Sequence, residues 1–512
     1  MNRSAYPSTT ADAPGTACPP PATGADAYRV LQQRSTRGGL WTVTAEGLTF
    51  AIRLLSLAAL GRLLLPREFG LMGMVVALTG FAHLFKDLGL ADATIQRERL
   101  TDAQASTLFW INAATGAALS ALAVVCAPLI AGFYGEPSLR DITVALSASF
   151  LFSGVSVQHQ ALLRRQMKFG RLAVARIGGV LAGVVVAVAL AWHGWGIWSL
   201  VGMHVCEPAC TAAGLWLASG WRPRRMRRAA GVREMLHFGA DVTGFNAINY
   251  FARNLDNILI GRQIGPAQLG LYARAYRLLL MPILLLRTPL ASVCMSGLST
   301  LQNSPAQFRE YFRAYLSLLA FLSFPVVVCL GICADTFIAL ILGPRWSGAV
   351  PIFRILACVA LIQPVASSWG VVLVTLGQTR RYLMCGVVNS VLVMLGFLVG
   401  IRWGTTGVAF SYVVVNYAML LPNFWWCTRS APVSAGDLLR SVARPAAAAL
   451  VMACVLWWLR PLPDACGLFA ALVLYVLAGG TAYLATWAFL PGGKEHLEGL
   501  VRHLRAACGG SS

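Results

Sequence analysis

Fourteen apolar runs of about 20 residues recur along the chain from Leu40 onward, and no other feature restricts its fold so tightly. As a helix rising about 1.5 Å per residue, such a run crosses roughly 30 Å of hydrocarbon. In lipid, only helices and closed barrels satisfy every backbone N–H and C=O internally. The runs lie at 40–62, 70–93, 107–131, 141–161, 172–193, 196–218, 236–261, 272–299, 313–333, 350–375, 382–401, 405–427, 442–460 and 466–489, and are numbered 1 to 14 below. Segments 5 and 6 are separated only by His193-Gly194-Trp195, which predicts a tight helical hairpin. Composition excludes a soluble alternative. Hydrophobic residues make up 57% of the 512, charged residues 12%, and mean hydropathy is +0.66, whereas a soluble surface needs about a quarter charged residues. The expected fold class is an all-α polytopic membrane protein with about 14 transmembrane helices.

The charge is as uneven as the hydropathy: 41 Lys+Arg against 20 Asp+Glu, a net +21. In a soluble chain that excess would point to nucleic acid; here its placement assigns it to topology. With a cytoplasmic N-terminus, the inside loops carry Arg97 and Arg99, then Arg164, Arg165, Lys168 and Arg171, then the run from Arg222 to Arg233. Later inside loops hold Arg309 and Arg313, Arg380 and Arg381, and Arg429, Arg440 and Arg444. The outside loops offer the pair Arg62 and Arg67, and otherwise singletons: Arg140, Arg262, Arg345, Arg402 and Arg460. The bias places both termini in the cytoplasm and makes membrane lipids, not nucleic acid, the surroundings. Residues 1–39, rich in Pro, Ala, Thr and Gly, read as a disordered cytoplasmic tail; no apolar core follows Met1, so they do not read as a signal peptide. The 13 cysteines read as small core residues, not as a disulfide framework.

The chain also resembles itself at an offset of 200 residues. Residues 61–71 read GRLLLPREFGL and 261–271 read GRQIGPAQLGL, matching at Gly61/Gly261, Arg62/Arg262, Pro66/Pro266, Gly70/Gly270 and Leu71/Leu271. Both stretches join a first segment to a second, 1 to 2 and 7 to 8. A fainter echo links His193-Gly194-Trp195-Gly196-Ile197 with Trp403-Gly404-Thr405-Thr406-Gly407-Val408. Six segments separate equivalent points. An even number gives the halves one orientation, hence a pseudo-twofold axis along the membrane normal. The expected organisation is a tail (1–39), a six-helix bundle (40–218), a basic cytoplasmic linker (219–235), a second six-helix bundle (236–427), two additional helices (428–489) and a cytoplasmic C-terminal tail (490–512).

Polar residues inside apolar segments are costly, about 2.5–3.5 kcal/mol per charge at the bilayer centre, and usually face a cavity or a partner. Segment 1 carries Thr42, Glu46, Thr49, Arg53 and Ser56, whose spacings of 4, 3, 4 and 3 put them on one face. Segment 7 repeats this with Asn246, Asn249, Arg253 and Asp256. The offset superimposes Arg53 on Arg253, and Asp87 on Arg287. Paired arginines at mid-membrane make a cationic lining suited to phosphate or pyrophosphate. The competing reading pairs each arginine with a carboxylate such as Glu46 or Asp256. Asp87, in Lys86-Asp87-Leu88-Gly89-Leu90 beside His83, also reads as an interfacial cap, and His204, which shares a face of segment 6 with Glu207, as a satisfied interhelical hydrogen bond. The expected cavity residues are Arg53, Arg253, Glu46, Asn246, Asn249 and Arg287; candidates for ion coupling are Glu46, Asp87 and Asp256.

No chemistry-bearing motif competes with that reading. Cys206/Cys210 and Cys329/Cys333 have i,i+4 spacing, but no His or carboxylate set completes four ligands, so no metal is expected. The chain has no P-loop, GxSxG or HExxH, and its longest outside loop, Asp335 to Ala349, is too short for a catalytic domain. Neither a cofactor nor an enzymatic activity is expected. Gly178-Gly179 reads as close helix packing.

The run Asn254-Leu255-Asp256-Asn257-Ile258-Leu259-Ile260-Gly261-Arg262, then Ile264-Gly265-Pro266, Leu269-Gly270-Leu271-Tyr272 and Arg274-Ala275-Tyr276-Arg277, resembles the Wzx-like polysaccharide flippases of the MOP exporter superfamily. The first-half version, Gly61-Arg62, Pro66, Phe69-Gly70-Leu71 and Asp87-Leu88-Gly89-Leu90, does so too. The resemblance spans about residues 37–430. It implies two six-helix bundles around a V-shaped central cavity in a bacterial inner membrane. The implied cargo is an undecaprenyl-pyrophosphate-linked oligosaccharide of capsule, exopolysaccharide or O-antigen, moved from the inner to the outer leaflet by alternating access. Polysaccharide polymerases and glycosyltransferases are the implied partners. Three alternatives compete. A drug/cation antiporter of the same superfamily would be expected to carry carboxylates at its centre. A membrane ligase or polymerase would need a large outside loop, and buried charges argue against a scaffold.

Overall fold

The computed structural model describes residues 25–83, 100–226, 254–429, 431–460 and 467–490, with Ala91, Thr94, Ile95, Arg97 and Tyr250 between them. All regular structure among the described residues is helical. The first half comprises α1 (Ala25–Leu63), α2 (Pro66–His83), α3 (Asp102–Tyr134), α4 (Ser138–Arg165), α5 (Phe169–Trp192) and α6 (Ile197–Ser219). The second comprises α7 (254–263 of the described residues), α8 (Pro266–Thr300), α9 (Pro305–Ile332), α10 (Ala349–Ala366, continuing after a break as Ser368–Thr375), α11 (Thr379–Gly400) and α12 (Gly404–Thr428). Then come α13 (Ala435–Trp458) and α14 (Leu468–Phe489). Ten helical stretches among the described residues, one of them α11 and α12 together, are long and apolar enough to cross a membrane. Leu55, Val125, Leu217 and Phe489 are exposed, as a lipid-facing surface requires. The chain is a multi-pass membrane protein.

Local chemistry sets the helix ends. Thr101 and Gln104 form a reciprocal capping box at the start of α3, with Gln104 N donating to Thr101 Oγ1 at 3.2 Å and Thr101 N to Gln104 Oε1 at 3.0 Å. Pro66 and Pro266 open α2 and α8, where a missing N–H costs nothing. These helices therefore begin four and six residues before the apolar runs that signalled them. Two other expectations change. The helix α1 begins at Ala25, inside the stretch read as a tail, because Ala25 to Gln33 (ADAYRVLQQ) is rich in good helix formers. The outside stretch 335–349 is not a bare loop: it holds a short helix, Ala334–Ile341, and a 3-10 turn, Pro344–Trp346. Trp346 is fully buried and donates its Nε1–H to the Gly61 carbonyl at 2.7 Å.

The two halves meet through the repeated motif itself. The helices α2 and α8 cross where a Cβ added to Gly70 would lie 1.6 Å from the Pro266 carbonyl oxygen, and one added to Gly270 would lie 1.9 Å from the Pro66 oxygen. Each glycine admits the other half's proline backbone, a reciprocal contact that follows from a twofold relation. The flanking residues obey it too. Gly61 packs on Leu342 of the second half, and Gly261 on Tyr134 and Met74 of the first. Arg62 donates to the Leu340 carbonyl at 2.5 Å, while Arg262 lies 5.5 Å above the Phe133 ring. Leu60, Phe69, Met74, Ile260, Leu269 and Tyr272 are buried around the crossing. The end bearing the turns 63–66 and 263–266 is closed. With lipid as solvent, dispersion between close-packed surfaces holds it more than any hydrophobic drive does.

The last two helices dock on the second half. Asp437, fully buried at the start of α13, accepts from Arg309 Nε of α9 at 2.7 Å, with Arg313 at 3.8 Å. At the other end Arg460 reaches Asp335 at 3.0 Å, and Tyr483 of α14 donates to the Phe321 carbonyl at 3.1 Å.

Candidate functional site

Depth along each helix shows which polar groups can meet. Arg53 lies ten residues before the closed-end terminus of α1, Glu207 ten residues into α6, and Arg277 eleven into α8. At about 1.5 Å per residue, all three sit roughly 15 Å from the closed end, near the middle of the hydrocarbon. They come together there. Arg53 Nη2 donates to Glu207 Oε1 at 2.7 Å, pairing α1 with α6. Arg277, on the other half, stands within electrostatic range of both Arg53 and Glu207. Arg274, one turn closer to the closed end, acts on Arg277 and His204. Because 274 and 277 are three apart, one face of α8 presents both to the first half.

The first half prepares this spot by close packing. A Cβ on Gly179 of α5 would stand 1.9 Å from Thr211 Oγ1 and 2.8 Å from the Glu207 carbonyl oxygen, and one on Gly183 would stand 3.0 Å from Glu207 Cβ. These glycines bring α6 against α5 at the turn that carries the carboxylate; Gly178, beside them, has nothing within 4 Å. The His204 ring turns back on its own helix, Nδ1 lying 2.9 Å from the Leu200 carbonyl. That oxygen can only accept, so Nδ1 carries the hydrogen.

Three guanidiniums against one carboxylate leave two positive charges in excess, with His204 counted neutral. The Arg53 and Glu207 side chains keep 40% and 30% of their surface exposed, and Arg277 is exposed although protein surrounds it on most sides. These exposed polar groups thus stand at one depth on both halves, where a path between the halves would pass. Arg53 Nε is buried with no hydrogen-bond partner among the described residues. Neither Arg274 nor Arg277 has a carboxylate within ion-pair distance there. An excess of planar guanidiniums of this kind can hold an anion bearing several acceptor oxygens.

Of the residues expected from sequence that are among the described residues, only Arg53 stands in this cluster. Glu46 is exposed about 25 Å from the closed end, nearer the opposite one, and pairs with Arg176 of α5 instead of Arg53. Asp256 is buried within the second half. Its Oδ2 accepts from Tyr272 OH at 3.0 Å and its Oδ1 from Asn257 N at 2.7 Å. Arg287 lies roughly 30 Å along α8 from Pro266, beside Tyr315 of α9, well away from Arg53. Arg253, Asn246, Asn249 and Asp87 lie outside the described residues. Arg274, Arg277 and Glu207 are the additions. The i,i+3 arginine spacing with Tyr276 between was visible, but the 200-residue offset maps Arg274 and Arg277 onto Met74 and Ala77, so the repeat did not mark them. Cys206 and Cys210 stand 3.6 Å apart, and no group of three potential ligands gathers among the described residues.

Residues 59–351 match the family described as "Polysaccharide biosynthesis protein". The teichuronic acid biosynthesis protein TuaB of Bacillus subtilis (strain 168) is 28% identical over 414 residues, covering 80% of this chain and 85% of TuaB. The succinoglycan biosynthesis transport protein ExoT of Rhizobium meliloti (strain 1021) is 24% identical over 428 residues, covering 83% and 86%. Among solved structures, the lipid II flippase MurJ in an inward closed conformation superimposes with a TM-score of 0.70, covering 87% of this chain and 97% of MurJ at 13% identity. That likeness establishes a shared fold.

Proposed function

The chain belongs to the polysaccharide biosynthesis protein family, and from that premise we propose that it is a flippase for lipid-linked oligosaccharide. The cargo is a polyprenyl-pyrophosphate-linked unit of a surface polysaccharide, carried from the inner to the outer leaflet of a bacterial inner membrane. The carrying observation is the mid-membrane cluster of Arg53, Arg274 and Arg277 against the single carboxylate of Glu207. A pyrophosphate crossing hydrocarbon needs cations at that depth, and the planar guanidinium fork matches its oxygens. We assign Arg53 and Arg277, one from each half, to the pyrophosphate. The lipid tail stays in the bilayer beside the protein. The names of relatives point the same way: ExoT is a biosynthesis transport protein, and the structural neighbour MurJ is a lipid II flippase.

The arginine bias of the loops orients the molecule with both termini in the cytoplasm. The closed end then faces outward, and the cavity is loaded from inside. The two six-helix bundles, 40–218 and 236–427, would rock about the Gly70–Gly270 crossing. Residues 219–235 join them, and 428–489 form an accessory pair. The 200-residue offset gives Arg253 the register of Arg53, so it is proposed as a further cation of the lining. Of the three candidates for ion coupling, Asp256 has a buried setting that suits a group titrating during the cycle. Polymerases and glycosyltransferases of the same polysaccharide are the proposed partners. The excess of guanidinium disfavours a cationic drug as cargo.

The test is complementation of a flippase-deficient strain. Wild type should restore surface polysaccharide, and the variant combining Arg53→Met, Arg277→Met and Glu207→Gln, which leaves no stranded carboxylate, should not, at equal membrane abundance. Export by that variant would defeat the assignment.

A further inference from the structure

Arg274 belongs to the cationic cluster and also touches the closed end. Its guanidinium carbon lies 4.1 Å from the centroid of the Phe69 ring, reaching from α8 of one half to α2 of the other. Phe69 packs edge-on against Trp346, with ring centroids 5.3 Å apart, and Trp346 is bonded through Nε1 to the Gly61 carbonyl at the end of α1. A single cation therefore binds the aromatic cluster that joins α1, α2, α8 and the turn before α10. Arg274 also stands within electrostatic range of Arg277 and His204 at mid-membrane depth. The first half has no counterpart, since the 200-residue offset places Met74 where the second half has Arg274.

An aromatic face is a weak partner for a guanidinium, and a multiply charged phosphate a much stronger one. The neighbouring Arg277 cation sharpens this contrast, because like charges one turn apart are relieved by an anion and not by a ring.

We propose that Arg274 is a positioning residue that reports cargo occupancy to the outer end. With the cavity empty, its guanidinium rests on Phe69 and holds the α2–α8 crossing shut. When a pyrophosphate is held between Arg53 and Arg277, Arg274 turns from the ring to the phosphate oxygens. The Phe69–Trp346 cluster then loses its cation and the outer end is released. This rests on the flippase reading and deepens it by coupling the anion to the gate, so that an empty carrier stays shut outward.

Hydrogen–deuterium exchange of the full chain in nanodiscs tests it, with farnesyl pyrophosphate as probe and uncharged farnesol as control. In wild type, farnesyl pyrophosphate should raise exchange in residues 66–75 and 266–275 about tenfold, equivalent to about 1.4 kcal/mol, and farnesol should not. Phe69→Leu should show that raised exchange without ligand. Arg274→Met, which installs the first half's residue, should bind labelled probe more weakly, through Arg53 and Arg277 alone, and at saturating probe give a gate that is loose when empty and unresponsive when loaded. Arg274→Lys should keep part of the response, the charge surviving without the planar fork. Undisturbed exchange in residues 138–165 certifies an intact fold in each variant. A full ligand response in Arg274→Met, or wild-type protection in ligand-free Phe69→Leu, overturns the latch while leaving the cargo site standing. Failure of wild type to bind the probe overturns the pyrophosphate reading itself.

Discussion

Gly70→Ala should open the closed end, and its effect can be sized from the geometry. The new Cβ would stand 1.6 Å from the Pro266 carbonyl oxygen, with the carbonyl carbon at 2.4 Å. Both neighbours are backbone in a helix, so no side chain can rotate away. The α2 and α8 axes must part by roughly 1.5–2 Å before the contact becomes ordinary van der Waals. Overpacking of this kind costs about 1–3 kcal/mol. Alanine's better helix propensity, about 1 kcal/mol, acts equally in open and closed states and cancels from the gate equilibrium. The closed state should therefore lose about 5- to 150-fold in population against the open one. Hydrogen exchange of residues 66–75 and 266–275 in nanodiscs should rise accordingly. Gly270→Ala should do the same, and the double variant should add less than the sum, because both substitutions break one contact. Gly47→Ala, with nothing within 4 Å, is the control. Wild-type protection in Gly70→Ala, or equal loosening in Gly47→Ala, would refute the reciprocal crossing as the gate.

Three further outcomes follow from the ion pairs and the loops. Arg53→Ala leaves Glu207 without its partner, so membrane abundance should fall; Glu207→Gln added to it should restore abundance but not transport, and full restoration of both would remove Arg53 from the cargo site. Because the two side chains keep 40% and 30% of their surface exposed, the stability loss should stay at ~1 kcal/mol, read as a shift in thermal unfolding of the detergent-solubilised protein. Asp437→Asn removes the buried carboxylate that Arg309 and the start of α13 share, and should loosen α13 and α14, raising protease cutting in the 429–434 turn; unchanged cutting would mean that apolar packing alone docks the pair. Reporter fusions after Arg228 and Arg444 should be cytoplasmic, and fusions after Glu136 and Arg345 external; a cytoplasmic signal at Arg345 would break the fourteen-helix topology.

Much of the architecture was legible because lipid imposes one rule on every helix. Each must be long and apolar, so the segments announced themselves, and the repeat at 61–71 and 261–271 named the very residues that meet across the halves. The helix starts at Pro66 and Pro266 were less visible, since charged or polar residues such as Arg67 and Gln268 occupy their first turns. The site was legible only in part. Arg53 was singled out because periodicity places it on a polar face at mid-depth, where it pairs with Glu207. Its partner was not, because a helix face fixes direction but not which neighbour lies there: α1 meets α5 at Glu46 and α6 at Arg53. Arg274 and Arg277 escaped because the site is asymmetric where the fold is symmetric, and an argument from symmetry finds only what both halves share. Trp346 escaped because a fifteen-residue outside stretch carries no period to show that it folds back into the core.

The central claim, that guanidiniums at mid-membrane carry an anionic lipid-linked saccharide across, is tested most directly by headgroup translocation in vesicles. Purified protein would be reconstituted with a fluorescent saccharide on a short polyprenyl pyrophosphate, and the fraction protected from an external quencher followed in time. The account predicts rapid equilibration by wild type. Arg277→Met should slow it about tenfold or more, as expected for losing one charge-assisted contact of about 1.5–3 kcal/mol, and Arg53→Met with Glu207→Gln should slow it similarly at full reconstitution. Translocation at the wild-type rate by the variant carrying all three substitutions would contradict the account.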